Sequence, residues 1–132
     1  MKSYKLFLDD IRNPTDCTNY STMFMPSNSS SFYEGDWIIV RTYNEFVDTI
    51  KELYSNGGSL DVISFDHDLA DFQDNVEYTG VDCAKWLVDF LIANNINMPK
   101  FFIHSVNIIG ANEIMNTLKD YSKYKKLSGS KI

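Results

Sequence analysis

The chain has 132 residues, of which 44% are hydrophobic and 23% are charged, values typical of one globular domain rather than of a disordered chain. Twelve Lys and Arg residues against eighteen Asp and Glu residues give a formal net charge of −6. This charge argues against binding of long nucleic acid, because such binding neutralises many phosphates, but it allows a site for one phosphate or one strand end.

The same sequence gives an expectation for the compartment. No apolar run approaches the roughly 18 residues that a membrane span needs, and the first residues lack the apolar stretch of a secretion signal. The two cysteines, Cys17 and Cys83, fit no metal or disulfide spacing. We therefore expect a reduced, cytoplasmic protein without a membrane partner.

Short apolar runs alternate along the chain with segments of helical periodicity. The apolar runs predict strands at 4–8, 37–40, 62–65 and 101–103. Apolar residues at helical spacing predict helices over 46–54, 79–92 and 110–121. Asn56-Gly57-Gly58 ends the first helix, and Thr79 with Asp82 predicts a capping box at the start of the second.

Strands separated by helices predict right-handed crossovers and a mostly parallel sheet of four or five strands. Because the strands are almost continuously apolar, helices are expected on both faces, which gives a three-layer α/β sandwich. The predicted domain covers 1–122, with a long Ser-rich insertion at 13–36 and a polar tail at 123–132. Long insertions are commonly lids or binding loops, so its apolar residues form a candidate lid: Met23, Phe24, Met25, Phe32 and Tyr33.

Both histidines of the chain lie at the ends of predicted strands, where the active site of an open parallel sheet is found. His67 lies between Asp66 and Asp68, and His104 precedes Ser105. Two imidazoles on opposite sides of one phosphate can act as general base and general acid. This pair suits the opening of a 2′,3′-cyclic phosphate by water, which needs one proton removed and one delivered. The structural alternative is that each histidine caps the sheet or bonds a loop.

The acids at the same strand ends have several possible roles. Asp9, Asp10 and Asp68 are candidate oxygen ligands for Mg²⁺ or Mn²⁺; the alternative is a site that requires no cofactor. Asp66 is a candidate catalytic carboxylate, as a nucleophile or a phosphate acceptor. Alternatively, these acids cap turns and helix starts.

Positive and polar groups nearby predict where a phosphate binds. Arg12 and Arg41 would supply positive charge among the acids. Ser105 and Asn107 precede the Gly110 helix start, and hydroxyl, amide and helix N–H groups together form a natural phosphate cradle.

Four strings in order resemble a known family, the cyclic-phosphate processing receiver-like domain. They are Leu8-Asp9-Asp10-Ile11-Arg12-Asn13-Pro14, Val40-Arg41-Thr42-Tyr43, Ser64-Phe65-Asp66-His67-Asp68-Leu69 and His104-Ser105-Val106-Asn107 with Gly110-Ala111. The resemblance spans nearly the whole chain and implies a receiver-like, flavodoxin-like fold adapted to act on cyclic phosphates. The positions that match its motifs are Asp9, Asp10, Asp66, His67, Asp68, His104 and Ser105. The chain departs from the family pattern at Ala70, Ile108 and Glu113, where Gly, Pro and Asn are common.

Three functions are compatible with this pattern. The first is a phosphoesterase that hydrolyses the cyclic phosphate of an RNA end or a nucleotide, with His67, His104 and Asp66 as catalytic residues. The second is a non-catalytic receiver-like signalling or phosphate-binding module, with Asp66 as a phosphate acceptor. Ordinary receivers place a Lys after a fifth strand, and no Lys follows an apolar strand here, which weakens the second reading. The third is a divalent-metal-dependent phosphohydrolase.

Overall fold

A computed structural model of the chain describes residues 2–17, 33–105 and 107–129. Its strands are β1 (Ser3–Leu8), β2 (Ile38–Val40), β3 (Ser59–Phe65), β4 (Asp71–Gln73), β5 (Val76–Tyr78) and β6 (Lys100–Ile103). Its α-helices are α1 (Tyr43–Ser55), α2 (Gly80–Asn94) and α3 (Ile108–Gly129), and a short 3-10 turn covers Pro14–Cys17. The candidate lid residues Met23, Phe24, Met25 and Phe32 lie outside the described residues.

Four parallel strands form the central sheet in the order β2-β1-β3-β6. The chain leaves β1 toward β2 on one side and then returns past β1 to β3 on the other. The carboxyl ends of β1 and β3 therefore flank the topological switch point, which is where open α/β sheets bind their ligands. The predicted α/β class with a parallel sheet is confirmed.

The three described helices share one hydrophobic core. Buried residues of all three belong to one cluster with Leu6 and Leu8 of β1 and Ile63 of β3. Phe7 and Ser64 alternate with these residues, so they lie on the opposite face of the sheet. On that second face, Phe7 makes edge contacts with the rings of Tyr33 and Trp37 at 6.0 Å each. Both of those residues come from the connection between β1 and β2.

A two-stranded antiparallel hairpin, β4–β5, stands between β3 and α2 where the sequence shows only a polar stretch. Its turn residues Asp74 and Asn75 have φ of 52° and 66°, the left-handed values that two-residue hairpin turns require. The Tyr43 N–H donates to Asp71 Oδ2 at 2.9 Å, which fastens the hairpin to the start of α1.

Helix boundaries agree with the sequence at their starts and differ at the chain's end. Thr79 and Asp82 form the predicted capping box at the start of α2. Helix α3 continues to Gly129, past the predicted domain end at 122, because no Gly or Pro occurs between Gly110 and Gly129. Among the described residues, no helix is both long and apolar enough to cross a membrane.

Candidate active site

The site is built where three neighbouring strands end. The Asp9 N–H donates to the Val40 carbonyl at 3.1 Å, the Asp66 N–H to Leu8 at 3.0 Å and the His104 N–H to Phe65 at 2.9 Å. The parallel ladder thus extends one residue beyond β1, β3 and β6 and fixes these three backbones. One side-chain ligand atom from each of the three residues lies within 4.8 Å of the others.

Asp9 is a buried carboxylate surrounded by hydrogen-bond donors. Its Oδ1 accepts from the N–H groups of Ile11 at 3.0 Å and Arg12 at 2.8 Å, and its Oδ2 lies 3.0 Å from His104 Nε2. Burial raises the pKa of Asp9, but the bonds from His104 and the two N–H groups outweigh it and lower the pKa to about 2. Asp9 is therefore ionised at neutral pH.

The pKa of Asp66 is shifted in the opposite direction, although Asp66 lies beside Asp9. Burial and the negative charge of Asp9 raise the pKa of Asp66 to about 7, against a weaker lowering by the hydrogen bond from the His67 N–H. Burial and the charge of Asp9 also raise the pKa of Asp10. A carboxyl group with a pKa near 7 can give or take a proton at neutral pH.

His67 forms a partly exposed pair with Asp68 at the rim of the site. His67 Nδ1 lies 2.7 Å from Asp68 Oδ1. Because a carboxylate only accepts hydrogen bonds, Nδ1 carries the proton, and Nε2 is left as the proton acceptor of the ring. The Asn107 amide nitrogen lies 3.4 Å from Asp68 Oδ1 and donates to the same carboxylate.

Two glycines allow the close packing that places His67. A Cβ at Gly110, in the first turn of α3, would lie 2.3 Å from Cγ and Cδ2 of the His67 ring. A Cβ at Gly80 would lie 2.0 Å from the Asp66 carbonyl oxygen, and the Gly80 N–H donates to the His67 carbonyl at 2.8 Å. The starts of α2 and α3 therefore hold the Asp66-His67 backbone and the His67 ring respectively.

His104 lies in the protein interior with an exposure of 0%. Its ring stacks on Phe7 with centroids 4.5 Å apart, and both ring nitrogens are hydrogen-bonded, Nε2 to Asp9 and Nδ1 to Ser64 at 2.7 Å. Burial lowers the pKa of His104 against the opposing effect of Asp9. The predicted arrangement of two histidines facing one phosphate is not formed here, because His104 has neither exposed surface nor an unused ring nitrogen.

The predicted phosphate-binding residues have different positions. Arg12 is partly exposed, and its Nη1 lies 3.9 Å from Asp9 Oδ2 at the site. Arg41 instead secures the loop after β1: its Nη1 donates to the carbonyls of Asp9 and Arg12, and its Nη2 donates to Asn13 Oδ1 at 2.7 Å.

Ser105 and Asn107 build the turn before α3. The buried Ser105 Oγ accepts from the Asn107 N–H at 3.0 Å, and Asn107 Oδ1 accepts from the Gly110 N–H at 2.9 Å. These oxygens are thus already used by the backbone of the turn and the helix start.

The predicted metal ligands Asp9, Asp10 and Asp68 do not form the cluster that the structure shows. Among the described residues, the cluster of possible ligands is Asp9, Asp66 and His104. His104 does not fit a ligand role because Nε2 already bonds Asp9. The carboxylates of Asp9 and Asp66 do fit a hard divalent cation, which takes oxygen ligands and would offset the repulsion that raises the pKa of Asp66.

Two groups in this region have roles that the sequence did not predict. Ser64 is a fully buried hydroxyl in an apolar strand, and a polar residue in such a run is a usable signal because buried hydroxyls need partners. Tyr33, a predicted lid residue, is buried on the second face of the sheet and bonds Ser64. A cavity of about 440 Å³ lined by residues such as Lys2, Tyr4 and Gly58 lies at the opposite edge of the sheet and shares no residue with the site.

A parallel sheet in this strand order, with carboxylates after β1 and β3, defines a receiver-like protein whose site also carries two histidines. The family model described as "Cyclic-phosphate processing Receiver domain" matches residues 4–120. The chain therefore belongs to the cyclic-phosphate processing receiver domain family, as its motifs indicated. Searches of curated proteins and of solved structures found no match to the chain.

Proposed function

We propose that this protein is a phosphoesterase that opens a cyclic phosphate by hydrolysis, on a nucleotide or an RNA end that carries a 2′,3′-cyclic phosphate. The observation that carries the proposal is the His67–Asp68 pair, whose 2.7 Å bond leaves Nε2 as the proton acceptor of a partly exposed ring. A histidine oriented in this way by a carboxylate is a typical general base.

In the proposed reaction, His67 Nε2 takes a proton from water as the water oxygen attacks phosphorus. The bond between phosphorus and one ribose oxygen breaks, and the leaving oxygen takes a proton from the neutral carboxyl group of Asp66. The product is a phosphomonoester. Asp66 replaces His104 as the second proton-transfer group because both ring nitrogens of His104 are already hydrogen-bonded. Each proton transfer contributes about 10² to 10⁴ in rate.

Charge and surface character around the site support an organic cyclic phosphate. Arg12 lies at the site and can face a phosphate oxygen. Large apolar side chains are exposed on the segments that follow β1, β3 and β6: Ile11, Phe72, Val76, Ile108 and Ile109. A base or sugar attached to the phosphate would cover such surface, whereas inorganic phosphate would not.

The test is turnover of a nucleoside 2′,3′-cyclic monophosphate from pH 5 to 9, with and without EDTA. We expect the wild type to be active with a bell-shaped pH profile, and His67→Ala and Asp66→Asn each to lose about 10² or more in kcat. Asp61→Asn, at an exposed position of β3, is the matched control and should retain full activity. Full activity of His67→Ala would overturn the proposal.

A metal-dependent phosphohydrolase is the second candidate, favoured by the two adjacent carboxylates. Asp9 and Asp66 would hold Mg²⁺ or Mn²⁺, which would supply positive charge to the phosphate. Activity lost in EDTA and restored by either cation would support this candidate, and activity unchanged by EDTA would support the metal-free reaction.

A further inference from the structure

A continuous chain of hydrogen bonds runs from the second face of the sheet to the site. Tyr33 Oη lies 2.6 Å from Ser64 Oγ, and Ser64 Oγ lies 2.7 Å from His104 Nδ1. His104 Nε2 lies 3.0 Å from Asp9 Oδ2. All four residues are at most 2% exposed, so water does not compete for these bonds.

The direction of each bond follows from the groups involved. The Asp9 carboxylate only accepts, so His104 Nε2 carries a proton and donates it. A neutral imidazole with Nε2–H has an unprotonated Nδ1, which accepts from the Ser64 hydroxyl. That hydroxyl has one proton, so its oxygen must accept from Tyr33 O–H. Every donor therefore points toward Asp9.

Packing of the aromatic rings holds these hydrogen-bonded side chains in this geometry. The His104 ring lies parallel to Phe7 at 4.5 Å and perpendicular to Tyr33 at 6.5 Å. Tyr33 itself stacks on Trp37 at 5.5 Å. Aromatic contacts within the connection between β1 and β2 thus position the hydroxyl of Tyr33. This hydroxyl is the end of the hydrogen-bond chain that lies farthest from Asp9.

We propose that Tyr33 and Ser64 are positioning residues, which fix the tautomer of His104 and thereby the orientation of the Asp9 carboxylate. The long connection between β1 and β2 is then coupled to the site through Tyr33. The coupling runs beneath the site and involves no contact between Tyr33 and a substrate. The effect on rate rests on the proposed function, but the effect on the His104 tautomer does not.

The first experiment observes the His104 imidazole nitrogens directly by long-range ¹H–¹⁵N NMR at neutral pH. In the wild type we expect the Nε2–H tautomer. Ser64→Ala and Tyr33→Phe should shift the Nδ1 resonance, since each removes or weakens the donor to Nδ1, and Ser64→Thr, which keeps a hydroxyl, should restore it. Tyr54→Phe is the control, since its hydroxyl bonds the Leu60 N–H at 3.2 Å away from this chain.

The second experiment measures kcat and KM for the cyclic nucleotide. Ser64→Ala should lower kcat about tenfold, the equivalent of one lost hydrogen bond, with KM unchanged and with rescue by Ser64→Thr. A wild-type Nδ1–H tautomer, or variants whose Nδ1 resonance matches that of Tyr54→Phe, would overturn the inference. If the wild type shows no turnover, the proposed function fails and the NMR experiment alone decides the inference.

Discussion

Gly110 and His67 lie in close contact in the site, and the absence of a methyl group at Gly110 makes this contact possible. Packing of the imidazole against Gly110 directs Nε2 while Asp68 holds Nδ1, so the ring is fixed from two sides. A glycine in a helix otherwise costs about 1 kcal/mol relative to alanine. The contact therefore explains why α3 tolerates glycine in its first turn.

This contact predicts strong coupling between the two positions. Gly110→Ala should destabilise the protein by about 1–3 kcal/mol, because its Cβ would overlap the His67 ring, and should remove most of the activity. In the His67→Ala background the overlap is gone, so the same change should be neutral or stabilising by up to about 1 kcal/mol. Urea unfolding of the four variants gives the coupling free energy. Additive effects would show that the ring does not depend on Gly110.

The position of the Asp66-His67 segment, which follows β3, depends in the same way on the start of helix α2. The Thr79 side chain accepts from the Val81 N–H at 3.1 Å, and Asp82 Oδ2 accepts from the Thr79 N–H at 2.8 Å. The next residue, Gly80, touches the Asp66 carbonyl. The capping box thus sets both the helix start and the loop that carries His67.

Thr79→Ala should lower the free energy of unfolding by about 1 kcal/mol, which is typical of a lost N-cap. It should also lower kcat, because the loop that carries Asp66 and His67 loses its anchor. Thr79→Ser keeps the accepting oxygen and should match the wild type in both measurements, which are denaturant unfolding and turnover. A stability loss with unchanged kcat would mean that the cap holds the helix alone.

The sequence predicts the elements that have long apolar signals and misses those that lack them. The runs that become β1, β3 and β6 are recognisable because buried parallel strands are continuously apolar. The β4–β5 hairpin has three-residue strands and an Asp-Asn turn without glycine, so its pattern is that of a polar loop. The helical stretch beyond residue 122 is missed because its polar composition also fits a frayed end.

For the site, the sequence predicts which residues come together but not the role of each residue. Strand ends predict that Asp9, Asp66 and His104 converge, because parallel strands end at one edge of the sheet. The sequence does not predict that His104 is enclosed by Phe7 and Tyr33, since Tyr33 lies 71 positions away in a segment without periodicity. The choice between a catalytic and a positioning histidine therefore depends on long-range packing.

Over the whole molecule, the adjacent carboxylates of Asp9 and Asp66 make the free energy of unfolding change with pH in opposite directions. The pKa of Asp9 falls to about 2, so its contribution is present above the unfolded value of 3.8 and is lost as pH falls toward 2. The pKa of Asp66 rises to about 7. The unfolded Asp66 ionises from about pH 4, whereas the folded one stays protonated up to about 7, so its contribution decreases as pH rises through that interval.

This difference predicts the pH profile of Asp66→Asn relative to the wild type, measured in EDTA by urea unfolding. Between pH 4 and 7 the wild type should lose stability relative to the variant as pH rises, by up to about 4 kcal/mol, since three pKa units correspond to that energy. His104 and Asp9 are present in both proteins, so their own titrations largely cancel in the comparison. Asp61→Asn is the control and should follow the wild type at every pH. A parallel profile for Asp66→Asn and the wild type would show that Asp66 ionises normally. Asp66 could then not be the proton donor proposed above, because a carboxyl group with an ordinary pKa carries almost no proton at pH 7.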